Sequence, residues 1–444
     1  MIEDLKVPTT EEEEEQLKEY LEEQHPEDIA EYIETLEDRE TQAALIKVME
    51  PEGAAEVLFA LDDKELMVDI LLELPHNMAT AIANEIPSDE AADMLEDLDE
   101  SERSRILSLF EDEAVDDITD LLTYDSDSAG GLMTTEFVVV PVFVNAEKAI
   151  EIIRLYAPDA ETIYYVYVID GLNHLVGILS LRELIIAGPE TLVGDIMRQN
   201  VTSVNVRDDQ EEVADIMTRY GLLALPVVDD EEHILGIITV DDIVDVIQDE
   251  ASEDIYRMAG TTEAEMEEGA SVITAFASRL PWLLITIFGG ICSGMVLDHF
   301  ELTLQQVAAL IIFIPMMTGI AGNVGTQSCT VTVRGIATGN VVPKEAVKTV
   351  LREAFLGCAL GLTLGIIVCL VASFWQHSVQ LGITVGVTLL LNNFMAALLG
   401  TVVPLTLEKL HVDPAVASSA FITTATDILG LFNYSMIAIL IFHI

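Results

Sequence analysis

The chain has 444 residues, with 20 Lys and Arg against 78 Asp and Glu, and its formal net charge at pH 7 is −58. Residues 273–444 hold only six basic and seven acidic side chains, so nearly all of the negative charge lies in residues 1–272. Nucleic acids and anionic lipids are bound through basic patches, which excludes both as partners of the acidic part. Divalent cations are its natural counter-ions, although a surface that only confers solubility has the same composition.

The acidic part begins with a glutamate run, Glu11 to Glu15, which we interpret as a solvated lead-in. Prolines and aspartates then recur every 11 to 13 residues, each at the start of a short apolar-periodic segment. They are Pro26, Asp38, Pro51, Asp62, Pro75, Pro87 and Asp99. Proline suits the first turn of a helix, and carboxylates favour its N-terminal end. The pattern predicts an acidic, all-α superhelical solenoid as the N-terminal domain, residues 1–123.

Two copies of one α/β unit follow, with Met133 and Met197 at matching positions 64 residues apart. The pattern resembles a tandem pair of CBS domains, the module of cystathionine β-synthase, with the first copy at 124–190 and the second at 191–247. In that family the strand ends bind an adenine nucleotide in some members and no ligand in many others. The resemblance implies ATP or another adenine nucleotide as a candidate ligand. The residues concerned are Tyr165, Arg182, Glu183 and Thr239.

A long acidic helix from Val240 to Met258 is predicted to leave the second copy, and residues 248–275 are assigned to this connecting segment. Glu250, Glu253 and Asp254 are three and four residues apart, so they lie on one face of the helix. Unpaired carboxylates at this spacing repel each other. The face is either an exposed acidic connector or a surface that needs a divalent cation before it can pack.

Five apolar segments, near 281–297, 304–333, 349–374, 382–407 and 415–442, predict five membrane helices in a transmembrane domain that spans residues 276–444. If the acidic part is cytosolic, all six basic residues of this domain lie on the cytosolic side, which agrees with the positive-inside rule. The sequence therefore predicts a multi-pass protein of the plasma membrane, with its N-terminal domains in the cytosol and its C-terminus outside. Five spans favour a pore shared by two identical subunits over a fold of inverted repeats.

The second span is unusually polar, because Pro315, three glycines, Asn323 and Gln327 lie at its centre. We expect broken backbone hydrogen bonds there, which a bilayer tolerates only beside protein or water. Close helix packing through small residues is the alternative for the glycines. In the fifth span, Asp427 is the only ionisable residue between Pro414 and Phe442. A carboxylate at that depth predicts an ion or proton pathway, unless a neighbouring helix seals it as a structural hydrogen-bonding group.

The order of these parts, with the stretches Ala129–Thr134, Asp159–Tyr165, Gly322–Gln327 and Asp413–Asp427, resembles the MgtE family of magnesium channels over the whole chain. The resemblance implies a homodimeric, Mg²⁺-selective channel in the lipid bilayer, which imports Mg²⁺ and is closed by cytosolic Mg²⁺. It implies an ion site at Asp427 and a pore lined by Asn323, Gly325, Gln327 and Thr423.

The same resemblance implies that gating Mg²⁺ binds two groups of carboxylates. One group is Asp413 with Glu250, Glu253 and Asp254 of the connecting or plug helix. The other joins the solenoid to the CBS pair through Asp242, Glu211 and a solenoid carboxylate placed at Asp93. Gly221 stands where a further acidic ligand is expected just before Leu222.

A proton- or sodium-coupled transporter, with Asp427 as the relay and adenine nucleotide as the regulator, stays open as an alternative. A membrane-anchored energy sensor without transport is disfavoured by the expected break in the second span and by the lone Asp427. The sequence contains no paired nucleophile and base and no phosphate-binding loop, so we do not expect an enzyme.

Overall fold

The computed structural model describes residues 11–36, 38–61, 63–96, 98–156, 160–265, 271–301, 305, 307–341, 346–417 and 419–443. The chain forms two compact units, Met1–Ile247 and Gln248–Ile444. The first unit contains nearly all of the acidic residues, and the second contains the apolar segments.

The first unit begins with short helices that follow the predicted spacing. They are α1 (Glu11–Glu22), α2 (Pro26–Glu34), α3 (Arg39–Ile46), α4 (Pro51–Phe59), α5 (Lys64–Glu73), α6 (His76–Ala83), α7 (Ser88–Glu96), α8 (Glu100–Leu107) and α9 (Asp112–Leu121). Pro26 and Pro51 occupy the first turns of α2 and α4. Asp38 and Asp99 accept hydrogen bonds from backbone amides at the starts of α3 and α8. The helical solenoid is confirmed, and its apolar faces share one core with the second α/β copy.

One local expectation was wrong. The glutamate run belongs to α1, and Leu17 and Leu21 of that helix are buried in the core. Side chains four residues apart lie on one face, so the two leucines anchor the helix that the charges alone suggested was solvated. The residue that caps α5 is Asp63, which accepts from Leu66 N at 3.0 Å. The predicted starting residue, Asp62, lies outside the described residues.

The two α/β copies have the same topology. The first contains β1 (Val139–Pro141), α10 (Ala146–Tyr156), β2 (Tyr165–Ile169), β3 (Leu175–Ser180) and α11 (Leu181–Ile186). The second contains α12 (Val193–Ile196), β4 (Val204–Asn205), α13 (Gln210–Tyr220), β5 (Ala224–Val228) and β6 (Ile234–Thr239). In each sheet the first strand is parallel to the second, and the second is antiparallel to the third.

Each copy is completed by a segment that precedes the other. Thr134 pairs with Ile237 of β6, and Arg198 pairs with Ile178 of β3. A Cβ atom at Gly236 would lie 2.7 Å from Thr134 O and 2.8 Å from Met133 Cγ. Glycine is therefore required there because two backbones and a methionine side chain meet at that point.

Gly236→Ala should destabilise the first unit by about 2 kcal/mol, because the new methyl group overpacks a buried contact with backbone. Gly171→Ala is the matched control, because no atom lies within 4 Å of a Cβ at that position. Thermal unfolding of the purified protein measures both variants. Equal thermal unfolding midpoints for the two variants would contradict this account of the contact between Gly236 and the segment that contains Met133 and Thr134.

The helix α14 (Val240–Ala259) follows β6 directly, and a short 3-10 turn, Glu263–Glu265, precedes the first apolar helix. The interval 248–275 thus contains the second half of α14, that turn and the start of the next helix. Five helices are long and apolar enough to cross a membrane, as predicted, within the described residues. They are α15 (Val272–His299), α16 (Ile314–Ala337, preceded by a 3-10 turn at Ala308–Phe313), α17 (Ala346–Trp375), α18 (Val379–Lys409) and α19 (Ser419–Phe442).

The expectation of a broken second span was wrong. Pro315 lies in the first turn of α16, where no intrahelical amide is needed, and the helix continues through the glycines to Ala337. A Cβ at Gly325 would lie 2.8 Å from Ile422 Cγ2, and Gly400 of α18 contacts Gly325 O closely. The glycines therefore allow close helix packing, which was the alternative explanation.

Candidate functional site

Asp427 lies in the third turn of α19 and is half-buried. Thr423, four residues earlier and on the same face, donates its hydroxyl to Ser419 O at 2.6 Å, so its polar group is satisfied within the helix. Over the part of the chain that the structure covers, no hydrogen bond or ion pair involves the Asp427 carboxylate. No neighbouring group among those residues seals it, and the carboxylate can contact an ion or water.

The helix α16 has one face with exposed amide side chains and another with buried glycines, and the glycine face contacts α19. Asn323 and Gln327, four residues apart, are exposed, whereas Gly322 and Gly325 are buried. Thr423 Cγ2 lies 3.2 Å from the position of a Cβ at Gly322, so α16 and α19 touch next to Asn323. The structure thus places Thr423 beside Gly322, the neighbour of Asn323 in sequence, and it places Gly325 in the helix contact itself, whereas Gln327 is exposed one turn further along α16.

Buried polar groups of the membrane helices form hydrogen bonds between helices, and one of them, Glu353, was not singled out from the sequence. Glu353 of α17 is only 3% exposed and accepts from Ser328 Oγ at 3.0 Å. In α18, Asn392 donates to Gly430 O at 3.3 Å and accepts from Asn433 Nδ2 at 3.1 Å. The signal for Glu353 in the sequence was an acidic residue within an apolar helical segment. It was missed because this residue lies near the predicted start of its span.

The carboxylates expected to bind gating ions meet where α14 packs against the segment that precedes α19, within the second unit. Arg257 of α14 pairs with both Glu253 and Asp413, and Asp413 also accepts from Ala415 N at 2.7 Å. Burial, together with the charges of Asp413 and Glu250, raises the pKa of Asp254 to about 6. The cluster of Glu250, Glu253, Asp254 and Asp413 is therefore formed, and Arg257 is a member that the sequence did not reveal.

A second acidic cluster lies in the first unit, where α7 approaches the start of α14. Desolvation, followed by the charge of Asp89, raises the pKa of Glu90 to about 7, although the residue as a whole is exposed. Burial raises the pKa of Asp242 to about 6, and the charges of Asp241 and Asp89 act in the same direction. Burial also raises the pKa of Asp93, with Asp242 as one of the contributing charges.

Two members of this second cluster were missed. Asp89 and Glu90 open α7 and fit the general preference for carboxylates at a helix start, so they drew no attention. Asp89 Oδ1 is buried, and no hydrogen-bond partner exists for it among the described residues. Glu211 is not among the principal charges acting on the cluster. Gly221 ends α13 with a φ of +62°, a conformation that explains a glycine where an acid was expected.

Neither cluster is a complete metal cage, since no three His, Cys, Asp or Glu side chains of the described residues are arranged to hold an ion by themselves. Mg²⁺ usually keeps several of its waters and is held by one or two carboxylates. The carboxylates of both clusters suit such a hydrated ion, because they are oxygen ligands with excess negative charge.

The first α/β copy contains a cleft of about 490 Å³ next to β2 and α11. Tyr165 and Arg182, two of the predicted nucleotide ligands, line it together with Tyr164 and Leu223. Glu183 instead caps α11 with Ser180 and pairs with Arg198, and these hydrogen bonds lower its pKa to about 2. Thr239 is buried and donates to Asp242 Oδ2 at 2.7 Å. The cleft offers aromatic faces and one guanidinium, which suit a base and a phosphate.

Three families match parts of the sequence. Residues 24–127 match the family described as the MgtE intracellular N domain, and residues 129–190 and 193–249 match the CBS domain. Residues 314–437 match MgtE, described as a divalent cation transporter.

Curated relatives cover most of the chain. It is 41% identical over 326 residues to the magnesium transporter MgtE of Enterococcus faecalis, which covers 73% of this chain and 72% of that one. It is 37% identical over 379 residues to the magnesium transporter MgtE of Bacillus subtilis, covering 85% and 84% of the two chains.

Two solved structures resemble the soluble part. One is the soluble part of a magnesium transporter, with 39% identity, a TM-score of 0.50 and coverage of 54% of this chain and 94% of that chain. The other is the cytosolic domain of the Mg²⁺ channel MgtE in complex with ATP, with 40% identity, a TM-score of 0.50 and coverage of 52% and 93%.

In EDTA, the first unit should become more stable as the pH falls from about 8 to 5.5. The pKa values of Glu90 and Asp242 are raised in the folded state, to about 7 and about 6, so the folded state binds more protons than the unfolded state over this range. Thermal unfolding of the purified protein across this range measures the effect. Asp242→Asn should flatten the dependence, and a midpoint that rises with pH would contradict the assignment.

Proposed function

We propose, from the premise that this chain belongs to the MgtE family of magnesium transporters and channels, that it imports Mg²⁺ as a homodimer through a path that contains Asp427 of each subunit. Members of this family are ion transporters and not enzymes. The observation that carries the proposal is the half-exposed Asp427 carboxylate, which has no partner among the described residues and lies in an otherwise uncharged helix.

Two such carboxylates across a dimer axis would hold a hydrated divalent ion and reject monovalent ions by charge. Asn323 and Gln327 are exposed on α16, and their amide oxygens can accept hydrogen bonds from the waters of the ion. Asp427 is the only carboxylate of α19, which supports a shared pore, because a single subunit then supplies only half of the negative charge of the proposed ion site. All basic residues of the membrane domain lie on one side if its spans alternate. By the positive-inside rule, this supports a protein of the plasma membrane whose N-terminal domains are cytosolic and whose C-terminus is external.

Gating follows from the two acidic clusters. Their raised pKa values express the cost of keeping several carboxylates ionised where α7 meets α14 and where α14 meets the base of α19. Bound Mg²⁺ removes this cost in the compact, closed state. At low cytosolic Mg²⁺ the repulsion favours a looser state, in which the connecting helix releases the pore. The ion shifts the equilibrium because it binds the compact state more tightly.

ATP or a related adenine nucleotide is proposed for the cleft between β2 and α11. A similar cytosolic domain has been solved with ATP, and Tyr165 and Arg182 line the cleft here. The cleft and the second acidic cluster belong to one folded unit. Nucleotide binding would therefore stabilise the same unit that gating Mg²⁺ compacts.

Asp427→Asn should reduce Mg²⁺ uptake into proteoliposomes by about two orders of magnitude, because a carboxylate at membrane depth contributes a few kcal/mol to holding a cation. Asp298→Asn is the matched control, since Asp298 is exposed near the end of α15. Uptake by Asp427→Asn at the control rate would overturn the path. Uptake that instead requires a proton or sodium gradient would favour the coupled transporter.

Asp89→Asn combined with Asp242→Asn should make the first unit compact without Mg²⁺, because two of the repelling charges are gone. Hydrogen exchange of α7 in EDTA should then approach the rate that the unmodified protein shows with saturating Mg²⁺, and Mg²⁺ should add little further protection. Asp112→Asn, at the exposed start of α9, is the control. An unchanged response to Mg²⁺ in the double variant would remove this cluster from the gating scheme.

A further inference from the structure

Arg257 is the cation at the centre of the cytosolic cluster of the second unit. Its two terminal nitrogens contact different partners, Glu253 on its own helix and Asp413 in the segment that precedes α19. The residues paired with Arg257 are 4 and 156 positions away in sequence. The second pair therefore joins the connecting helix to the base of the helix that carries Asp427. All three side chains are between 30% and 38% exposed, so the pairs are only partly screened by solvent.

The charges around Arg257 do not balance. Glu250, Glu253, Asp254 and Asp413 supply four negative charges, and Arg257 and Arg334 both act to lower the pKa of Asp254. The remaining charge is equal to that of one divalent cation. If Arg257 were absent, the carboxylates of Glu253 and Asp413 would lose a charge-assisted hydrogen-bond donor and would have to be satisfied by water or by an added cation.

Apolar contacts beside the cluster also depend on the position of the end of α14 relative to the segment that precedes α19. Met258, the residue after Arg257, packs against a buried group formed by Cys329, Val333, Ala415, Ala417 and Ile422. Cys329 Sγ donates to Ala417 O at 3.1 Å, which fixes the segment between Asp413 and α19 against α16. The Arg257 pair with Asp413 therefore holds the end of α14 where Met258 can reach this apolar surface.

We propose that Arg257 is a built-in counter-ion of the gating cluster: it occupies Glu253 and Asp413 when Mg²⁺ is scarce and keeps the connecting helix partly docked. Mg²⁺ then competes with the guanidinium for these two carboxylates and completes the docking. The inference rests on the proposed gating role of this cluster. It adds that closure has a metal-independent component, so the response to Mg²⁺ starts from a partly closed state.

Hydrogen exchange of residues 248–259, measured on the full chain in lipid nanodiscs, tests the proposal. In EDTA, Arg257→Gln should increase the exchange rate of this segment about five-fold, because the opening equilibrium loses a partly buried ion pair. With saturating Mg²⁺ the variant should recover to within about two-fold of the unmodified protein, since the two freed carboxylates can bind the ion.

Three controls separate the explanations. Arg219→Gln removes a surface pair with Asp215 on α13 and should leave residues 248–259 unchanged. Arg257→Lys keeps the charge but cannot bind two carboxylates through separate nitrogens. In EDTA, its exchange rate for residues 248–259 should lie between the rates of the unmodified protein and of Arg257→Gln. Asp413→Asn keeps an acceptor for Ala415 N while removing the charge, and in EDTA it should add little to Arg257→Gln.

The outcomes are distinct. If the unmodified protein shows no Mg²⁺-dependent protection of residues 248–259, the proposed gating function fails. If that protection is present but Arg257→Gln in EDTA exchanges at the unmodified rate, the counter-ion role is overturned. A variant that stays unprotected in saturating Mg²⁺ would also overturn it, because Arg257 would then be needed for docking itself and would not be replaceable by the ion.

Discussion

Repulsion between carboxylates at the contacts of separate elements is the constraint on which the rest of the structure depends. Asp89, Glu90 and Asp93 on α7 face Asp242 at the start of α14, and Asp254 lies with Asp413 at the other end of that helix. Each contact is favourable in its apolar part and unfavourable in its charges. In the proposed gating scheme, this conflict places the fold between compact and loose states, and a divalent cation acts on the charged part alone.

Much of the fold could be predicted because its signals are local. Proline and aspartate at regular spacing mark helix starts, and Asp38 and Asp99 cap their helices as the pattern indicates. The CBS pair could be predicted because the same sequence pattern occurs twice in succession. The length and hydropathy of the apolar segments were enough to predict five membrane helices. Where local reading failed, as for α1, a pair of leucines four residues apart outweighed a run of charges.

The composition of the acidic sites could be predicted only in part, because it depends on contacts between distant residues. Asp93 and Asp242 were expected and lie in one cluster, but Asp89 and Glu90 resemble ordinary helix-start residues in the sequence. Arg257 is a similar case: its partner Asp413 is 156 residues away, and nothing in the spacing of α14 indicates that pair. The buried Glu353 becomes conspicuous only when Ser328 is seen to donate to it.

The membrane helices resolve a second conflict, between close packing and a polar path. On α16, Gly322 and Gly325 face neighbouring helices, whereas Asn323 and Gln327, on the other side, remain exposed. An intact helix can therefore pack tightly and still present amides, without the broken backbone that the glycines first suggested. The side chains of Thr423 and Ile422 on α19 pack against these glycines, so helix packing positions the segment that carries Asp427. Among the described residues the carboxylate has no hydrogen-bond or ion-pair partner, so its position follows from the packing of α19.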